Sequence, residues 1–247
     1  LGLQTRIVGV TEHCNFPEEA KNKDNIGTFG QPQLSKILSL KPDLVLADQA
    51  LHKNLLTELQ HKGIKVLAST PSSVDDIFKL MSELATVCGT DISTQPVINS
   101  LQERVQNLRQ KSKGKAQRLF YLMSTDPIVT PGSRSVQYDA LKMIGAQLMN
   151  FQSEDVYIRV TMDQIKEFDP EVILFCGFEK GQPMPAKCRG CTSKKPICQR
   201  TLDDIITEDW EHITAVREKR VFPIPCHTIC RPGPRLIDGM EKLQVIL

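Results

Sequence analysis

One helix–strand unit is written twice in this chain. Gln33-Leu34-Ser35-Lys36-Ile37-Leu38 leads into Lys41-Pro42-Asp43-Leu44-Val45-Leu46, and much later Met162-Asp163-Gln164-Ile165-Lys166 leads into Asp169-Pro170-Glu171-Val172-Ile173-Leu174. In each copy a short amphipathic stretch meets a proline, which cannot continue a helix because it lacks the amide donor and its ring clashes with the preceding turn. An apolar run of strand length follows. Each copy then gives way to a further helix and a second strand, Lys65-Val66-Leu67-Ala68 and Arg220-Val221-Phe222-Pro223-Ile224. Strands that alternate with helices make parallel sheets. The reading is therefore an α/β chain of two similar lobes, and two lobes make a cleft suited to a ligand.

The expected boundaries are an N-terminal lobe over 1–72, a helical segment over 73–114 and a C-terminal lobe over 115–247. The first lobe opens with a strand over Thr5–Val10. Ser72 or Ser73 can cap a helix, with Asp75 and Asp76 in its first turn. A following helix carries Val97, Leu101, Val105 and Leu108 on one face and serves as the interlobe connector. The second lobe starts with a strand over Arg118–Met123, then a loop with Pro127, Pro131 and Gly132, and a helix from about Ser135 to Gly145. An irregular stretch runs over 177–200, and a helix carrying Trp210 in the core precedes the last strand.

At 247 residues and 40% hydrophobic composition the chain has the means to bury sizeable cores. A net charge of +2 without a basic block gives no electrostatic footprint for nucleic acid. No apolar stretch is long enough for a transmembrane segment. The start at Leu1 reads as a trimmed or processed end. No Walker or dinucleotide glycine motif occurs, and Ser133 has no evident base partner. The expectation is a non-enzymatic binding protein.

Eight cysteines are the compositional anomaly. Cys188, Cys191 and Cys198 fall in one loop, and Cys226 and Cys230 follow downstream. Ligands bind beyond the carboxyl ends of parallel strands, and both groups begin at such ends. The Cys188-x2-Cys191 knuckle, eased by Gly190, can turn two thiolates onto one metal centre, and lysines and arginines around it offset thiolate charge. An iron–sulfur cluster or zinc needs a fourth ligand, for which Cys226 or Cys230 is placed. The expected metal set is Cys188, Cys191, Cys198, Cys226 and Cys230, with a [4Fe–4S] cluster as the leading cofactor, zinc as its alternative, and disulfides also open. Cys176 is left outside this set.

Val8-Gly9-Val10-Thr11 through His13-Cys14-Asn15-Phe16-Pro17-Glu18-Glu19-Ala20, Lys36–Ala47, and Arg231-Pro232-Gly233-Pro234-Arg235-Leu236 together resemble ABC-importer substrate-binding proteins for cobalamin and iron–siderophores. The likeness covers nearly the whole chain and points to the cobalamin branch. It implies two Rossmann-like lobes with parallel sheets joined by a long rigid helix, the first strand of lobe 1 missing, and a corrinoid such as cobalamin held in the cleft. Ligand contacts then fall on strand-end loops: His13, Phe16, Phe29, Gln31, Arg134, Tyr138 and His227. The resemblance also implies an ABC permease as partner and a periplasmic or extracytoplasmic location. Docking glutamates of relatives align near Lys53 and Asp163, and the cysteine-rich 177–200 insert is not general to the family. The competing readings are a cytoplasmic iron–sulfur redox or electron-transfer protein on the same scaffold, and a siderophore or haem receptor.

Overall fold

A computed structural model describes residues 1–114, 116–185, 194 and 196–247. The chain forms two compact units. The first comprises Leu1–Thr70 and Leu80–Val97; the second comprises Pro71–Lys79 and the described residues from 98 onward.

In the first unit, β1 (Gly9–Val10) pairs in parallel with β2 (Asp24–Asn25), and α1 (Leu34–Ser39) leads to β3 (Leu44–Ala47). Next come α2 (Lys53–His61) and β4 (Lys65–Ala68), which runs parallel to β3 in register Leu44↔Lys65 to Ala47↔Ala68. The first copy of the repeated unit is thus α1–β3, as its pattern requires. Ile37, Leu56 and Leu59 are buried here. The strand expected over Thr5–Val10 is corrected: Gln4–Arg6 form a 3-10 turn and only Gly9–Val10 pair. Their partner strand is two residues long, so Ile7 and Val8 find no ladder and stay exposed.

Two helices carry the chain between the units. α3 (Val74–Cys88) begins in the second unit and ends in the first, where Arg6 Nη1 donates to the Cys88 carbonyl at 2.8 Å. An arginine there satisfies an orphan carbonyl and complements the helix dipole. α4 (Asp91–Lys111) begins in the first unit and ends in the second, with Leu101, Val105 and Leu108 buried.

The second unit holds a four-stranded parallel sheet in the order β11-β10-β5-β8, made of β5 (Gln117–Leu122), β8 (Ala146–Gln147), β10 (Val172–Cys176) and β11 (Val221–Ile224). All of β10 is buried, as befits a central strand covered on both faces. α5 (Val136–Met143), α6 (Met162–Phe168), α7 (Thr214–Arg217) and α8 (Arg235–Gln244) accompany it. α6 starts from a full capping box, Thr161 with Gln164, and is followed at Pro170 by the turn into β10, which completes the second copy of the unit.

The 124–159 region departs from the expected loop. β6 (Ser124–Thr125), β7 (Ile128–Pro131) and β9 (Tyr157–Arg159) form a small antiparallel sheet, β6 and β7 being joined by the tight Asp126-Pro127 turn. Between Arg200 and Val221 the expected helix is replaced by 3-10 turns and the one-turn α7. Thr201, Thr207 and Thr214 recur at near-turn spacing, and the first of these closes a capping box with Asp204. Side chains that bond the local backbone stop a helix as readily as they start one. Trp210 is nevertheless in the core, 4% exposed, packed against Phe120 at a ring separation of 6.3 Å.

Candidate functional site

Side-chain parity along the second unit's sheet brings three cysteines together. Tyr121 on β5 faces Leu174 on β10. Two residues on, Cys176 returns to the same face, because strand side chains alternate. Cys176 in turn pairs with Ile224 on β11, and Cys226 lies two residues further along that chain. The result is a thiol cluster just past the carboxyl ends of β10 and β11. The Tyr121 hydroxyl lies 2.9 Å from the Cys176 sulfur and 3.1 Å from that of Cys230.

The elements around the cluster hold it closely. Gly177 N–H donates to the Ile224 carbonyl at 3.0 Å, and Phe178 N–H to the Arg200 carbonyl at 2.9 Å. A Cβ on Gly177 would stand 2.5 Å from that carbonyl oxygen, so only glycine admits the Arg200 backbone here. Behind the Cys226–Cys230 turn, α8 approaches so closely that a Cβ on Gly239 would lie 2.0 Å from the Thr228 carbonyl oxygen. The turn is thereby clamped between the sheet and α8.

The electrostatics within the cluster are uneven. Hydrogen bonding to Cys226, then to Cys230, together with burial, pushes the Cys176 thiol far above its ordinary range. The Cys226 thiol is held down to about 7, first by the bond from Cys176 and then by the positive charges of Arg231 and Arg200, against the opposing effect of burial. Cys230 is also lowered, by bonds from Cys176 and Tyr121. Burial, reinforced by the sulfurs, raises the Tyr121 phenol. His227, on the same turn, is lowered by burial and by Arg235, Arg231 and Lys242.

Of the expected metal set, Cys226 and Cys230 are brought together and Cys198 sits half-buried in the Ile197–Gln199 turn, two residues before Arg200. Cys188 and Cys191 lie outside the described residues. Cys176, set apart on sequence grounds, shares the Tyr121 hydroxyl with Cys230. Among the described residues no group of three or more His, Cys, Asp or Glu side chains is arranged to hold a metal ion.

The expected ligand residues fall on both units. In the first, Glu12 N–H donates to the Gly27 carbonyl at 3.0 Å, which ties the His13–Phe16 loop to the Phe29–Gln31 loop. Phe16 and Phe29 are 60% and 50% exposed, unusual for rings that could have been buried. Phe29 is held in place by His52, a residue that sequence reasoning passed over. His52 Nδ1 accepts the Asp48 amide at 3.1 Å and must therefore be unprotonated, so Nε2 donates to the Phe29 carbonyl at 2.7 Å. The two rings meet edge to face at 5.3 Å. Gln31 N–H bonds Thr28 Oγ1, and His13 Nδ1 lies 3.5 Å from Glu12 Oε1.

In the second unit, Arg134 is exposed and paired with Glu154 at 2.7 Å. Tyr138 stands in the first turn of α5, half-buried, its N–H bonded to Ser135 Oγ. An open groove of about 530 Å³ lies elsewhere, lined by Arg109, Asp139, Lys142, Gly145 and Ala146 at the amino ends of β5 and β8. Tyr121 was also missed; its signal was a tyrosine inside an apolar strand, whose hydroxyl must find a partner when buried.

Parallel sheets with aromatic and sulfur-bearing loops at their carboxyl ends define an α/β protein. The chain belongs to the periplasmic binding protein family, whose sequence profile matches residues 1–227. It is 25% identical over 253 residues to an uncharacterized ABC transporter substrate-binding lipoprotein, YvrC, of Bacillus subtilis, covering 98% of this chain and 73% of that protein. It is 24% identical over 249 residues to a vitamin B12-binding protein of Vibrio cholerae, covering all of this chain and 83% of the relative. Its fold matches that of IsdE of S. aureus complexed with heme at a TM-score of 0.77 and 17% identity, over 99% of this chain and 93% of that one. No helix among the described residues is long and apolar enough to cross a membrane.

Proposed function

We propose that this protein captures a corrinoid, with cobalamin as the reference ligand, for ABC-type uptake, and does no covalent chemistry on it. The observation that carries the reading is the pair of exposed rings, Phe16 and Phe29, on strand-end loops joined by the Glu12–Gly27 bond, with Phe29 braced by a buried histidine. A macrocycle is held by flat apolar contact plus a few placed polar groups. Gln31 and His13, on the same pair of loops, are the polar groups assigned to it. The vitamin B12-binding relative supports the choice of ligand, and the lipoprotein relative supports an extracytoplasmic location with a permease partner. Lys53 and Asp163, at the starts of α2 and α6, stand near where relatives carry docking glutamates, so Lys53 does not supply the carboxylate that a permease arginine would meet.

Calorimetric titration with cyanocobalamin and, separately, with hemin tests this. Saturable binding of cobalamin at about micromolar concentration or below is expected. Silence with cobalamin across that range would remove the corrinoid reading, and binding of hemin alone would replace it with the haem-receptor alternative.

A second reading, a cysteine-ligated centre, draws support from the convergence of Cys226 and Cys230 and from the stitching of the Cys198 turn to Gly177 and Phe178 through Arg200. The donor chemistry suits a [4Fe–4S] cluster or zinc. The described residues alone do not assemble a complete ligand set. Iron, sulfide and zinc content after oxygen-free purification decides between cluster, zinc and neither. A cluster without cobalamin binding would favour the electron-transfer alternative.

A further inference from the structure

We propose that His13 is an axial ligand to the metal of the bound macrocycle, with Glu12 as the residue that positions it. The inference rests on the macrocycle reading above. It adds the class of ligand the site selects: a metal chelate with an exchangeable axial position.

The turn after β1 supplies the geometry. Cys14 N–H donates to the Thr11 carbonyl at 3.0 Å, closing a turn beyond the carboxyl end of a parallel strand. Glu12 and His13 take its two central positions, and the Glu12–Gly27 bond fixes the turn to the neighbouring loop. His13 Nδ1 is shut off from solvent and has no hydrogen-bond partner among the described residues. The Glu12 carboxylate stands 3.5 Å from it, on a side chain only 10% exposed. A buried nitrogen left unpaired costs free energy, and such orphans mark places where something else is held. The His13 side chain is 38% exposed; with Nδ1 covered, that exposure falls on the rest of the ring, which includes Nε2.

A histidine that binds metal through one nitrogen commonly turns its other N–H to a carboxylate, which fixes the tautomer and raises ligand basicity. With the proton on Nδ1, toward Glu12, the Nε2 lone pair is free for a metal. One imidazole does not hold a bare ion. Among the described residues no group of three His, Cys, Asp or Glu side chains is arranged to do so. A macrocycle that brings its own equatorial ligands needs only this one more. Phe16 and Phe29, exposed on the same pair of loops, offer flat contact to such a ring. The step is a ligand exchange: the axial water leaves, the Nε2–metal bond forms, and the oxidation state is unchanged.

The test titrates the whole protein with aquocobalamin, whose axial water is exchangeable, and with cyanocobalamin, whose axial positions are filled by cyanide and its own base. With aquocobalamin the expected result is the absorption change that free imidazole produces; with cyanocobalamin no such change is expected. The change should vanish in His13→Ala, return on adding imidazole, and persist in Cys14→Ser. Glu12→Gln should keep it while weakening aquocobalamin binding about tenfold or more. The spectrum of the unmodified chain needs no variant to fold. Aquocobalamin bound without that change, or a change that survives in His13→Ala, would overturn the assignment and leave corrinoid capture standing. Failure of both cobalamins to bind would remove the capture reading and the assignment with it.

Discussion

The hydroxyl of Tyr121 lies 2.9 Å from the sulfur of Cys176, both residues being buried in the second unit's sheet. A buried phenol needs partners, and the hydrogen bonds described for this one go to Cys176 and Cys230. Replacing it with phenylalanine keeps the ring and removes those bonds. Tyr121→Phe is expected to cost about 0.5–1.5 kcal/mol, the usual net worth of an intramolecular hydrogen bond. Urea unfolding of the two proteins measures it; an unchanged midpoint and slope would mean the sulfur contacts contribute nothing.

Acid sensitivity is expected at the start of α3. Asp76 Oδ2 accepts from Ser72 N–H at 3.1 Å, Ser72 Oγ at 2.9 Å and Ser73 N–H at 3.1 Å, and Ser73 Oγ accepts the Asp76 amide in return. Burial pushes its carboxyl up, but bonds from Lys79, Ser73 and Ser72 outweigh that and leave it well below its ordinary value of 3.8. A carboxylate lowered by folding adds stability that is complete above the unfolded value and is lost as pH falls through the folded one. Between neutral pH and pH about 3, Asp76→Asn should therefore show a smaller loss of stability than the parent. Equal slopes for the two proteins would contradict this. Ser73→Ala removes the cap and should cost about 1 kcal/mol.

Arg104 on α4 grips Glu241 on α8 through two parallel bonds, Nε to Oε1 at 2.8 Å and Nη2 to Oε2 at 2.7 Å, while Nη2 also reaches Asp238. Lysine cannot reproduce that fork. A double-mutant cycle of Arg104→Ala and Glu241→Ala should give a coupling of about 0.5–1 kcal/mol, since the pair is partly solvated. The coupling should shrink in high salt. Zero coupling at low salt would assign the contact to crowding alone.

Trp210 is the single tryptophan, and it belongs to the second unit's core. Its emission should be blue-shifted in the folded chain and should report unfolding of that unit. Trp210→Ala should cost about 3–5 kcal/mol, the range for emptying a large buried ring site. A loss below about 1 kcal/mol would mean that the 3-10 turns around it collapse into the space without penalty.

The pattern of residues carried the regular parts of this fold. Proline stops and apolar runs at Pro42 and Pro170 located β3 and β10, and Ser73 with Asp76 marked the start of α3. The 3-10 turns over 201–210 were not legible. Their apolar spacing matched a helix, whereas the local Thr201–Asp204 bonds hold the backbone in a shorter 3-10 turn. The short β6–β7–β9 sheet was hidden for a similar reason, since the strands of 2–4 residues draw their stability from each other.

Sequence alone placed Cys226 and Cys230 beyond the carboxyl end of the last parallel strand, because strand direction and loop order follow from the repeated unit. Which sulfurs meet was decided only by tertiary structure. Cys176 and Cys230 meet at the Tyr121 hydroxyl through the β5–β10–β11 register and the close approach of α8 at Gly239, relations between residues far apart in the chain. The same holds for His52 and Phe29: local spacing cannot show that a helix-start histidine will meet the backbone of a loop 23 residues earlier. Periodicity encodes which face a side chain takes, whereas register and packing select its neighbours.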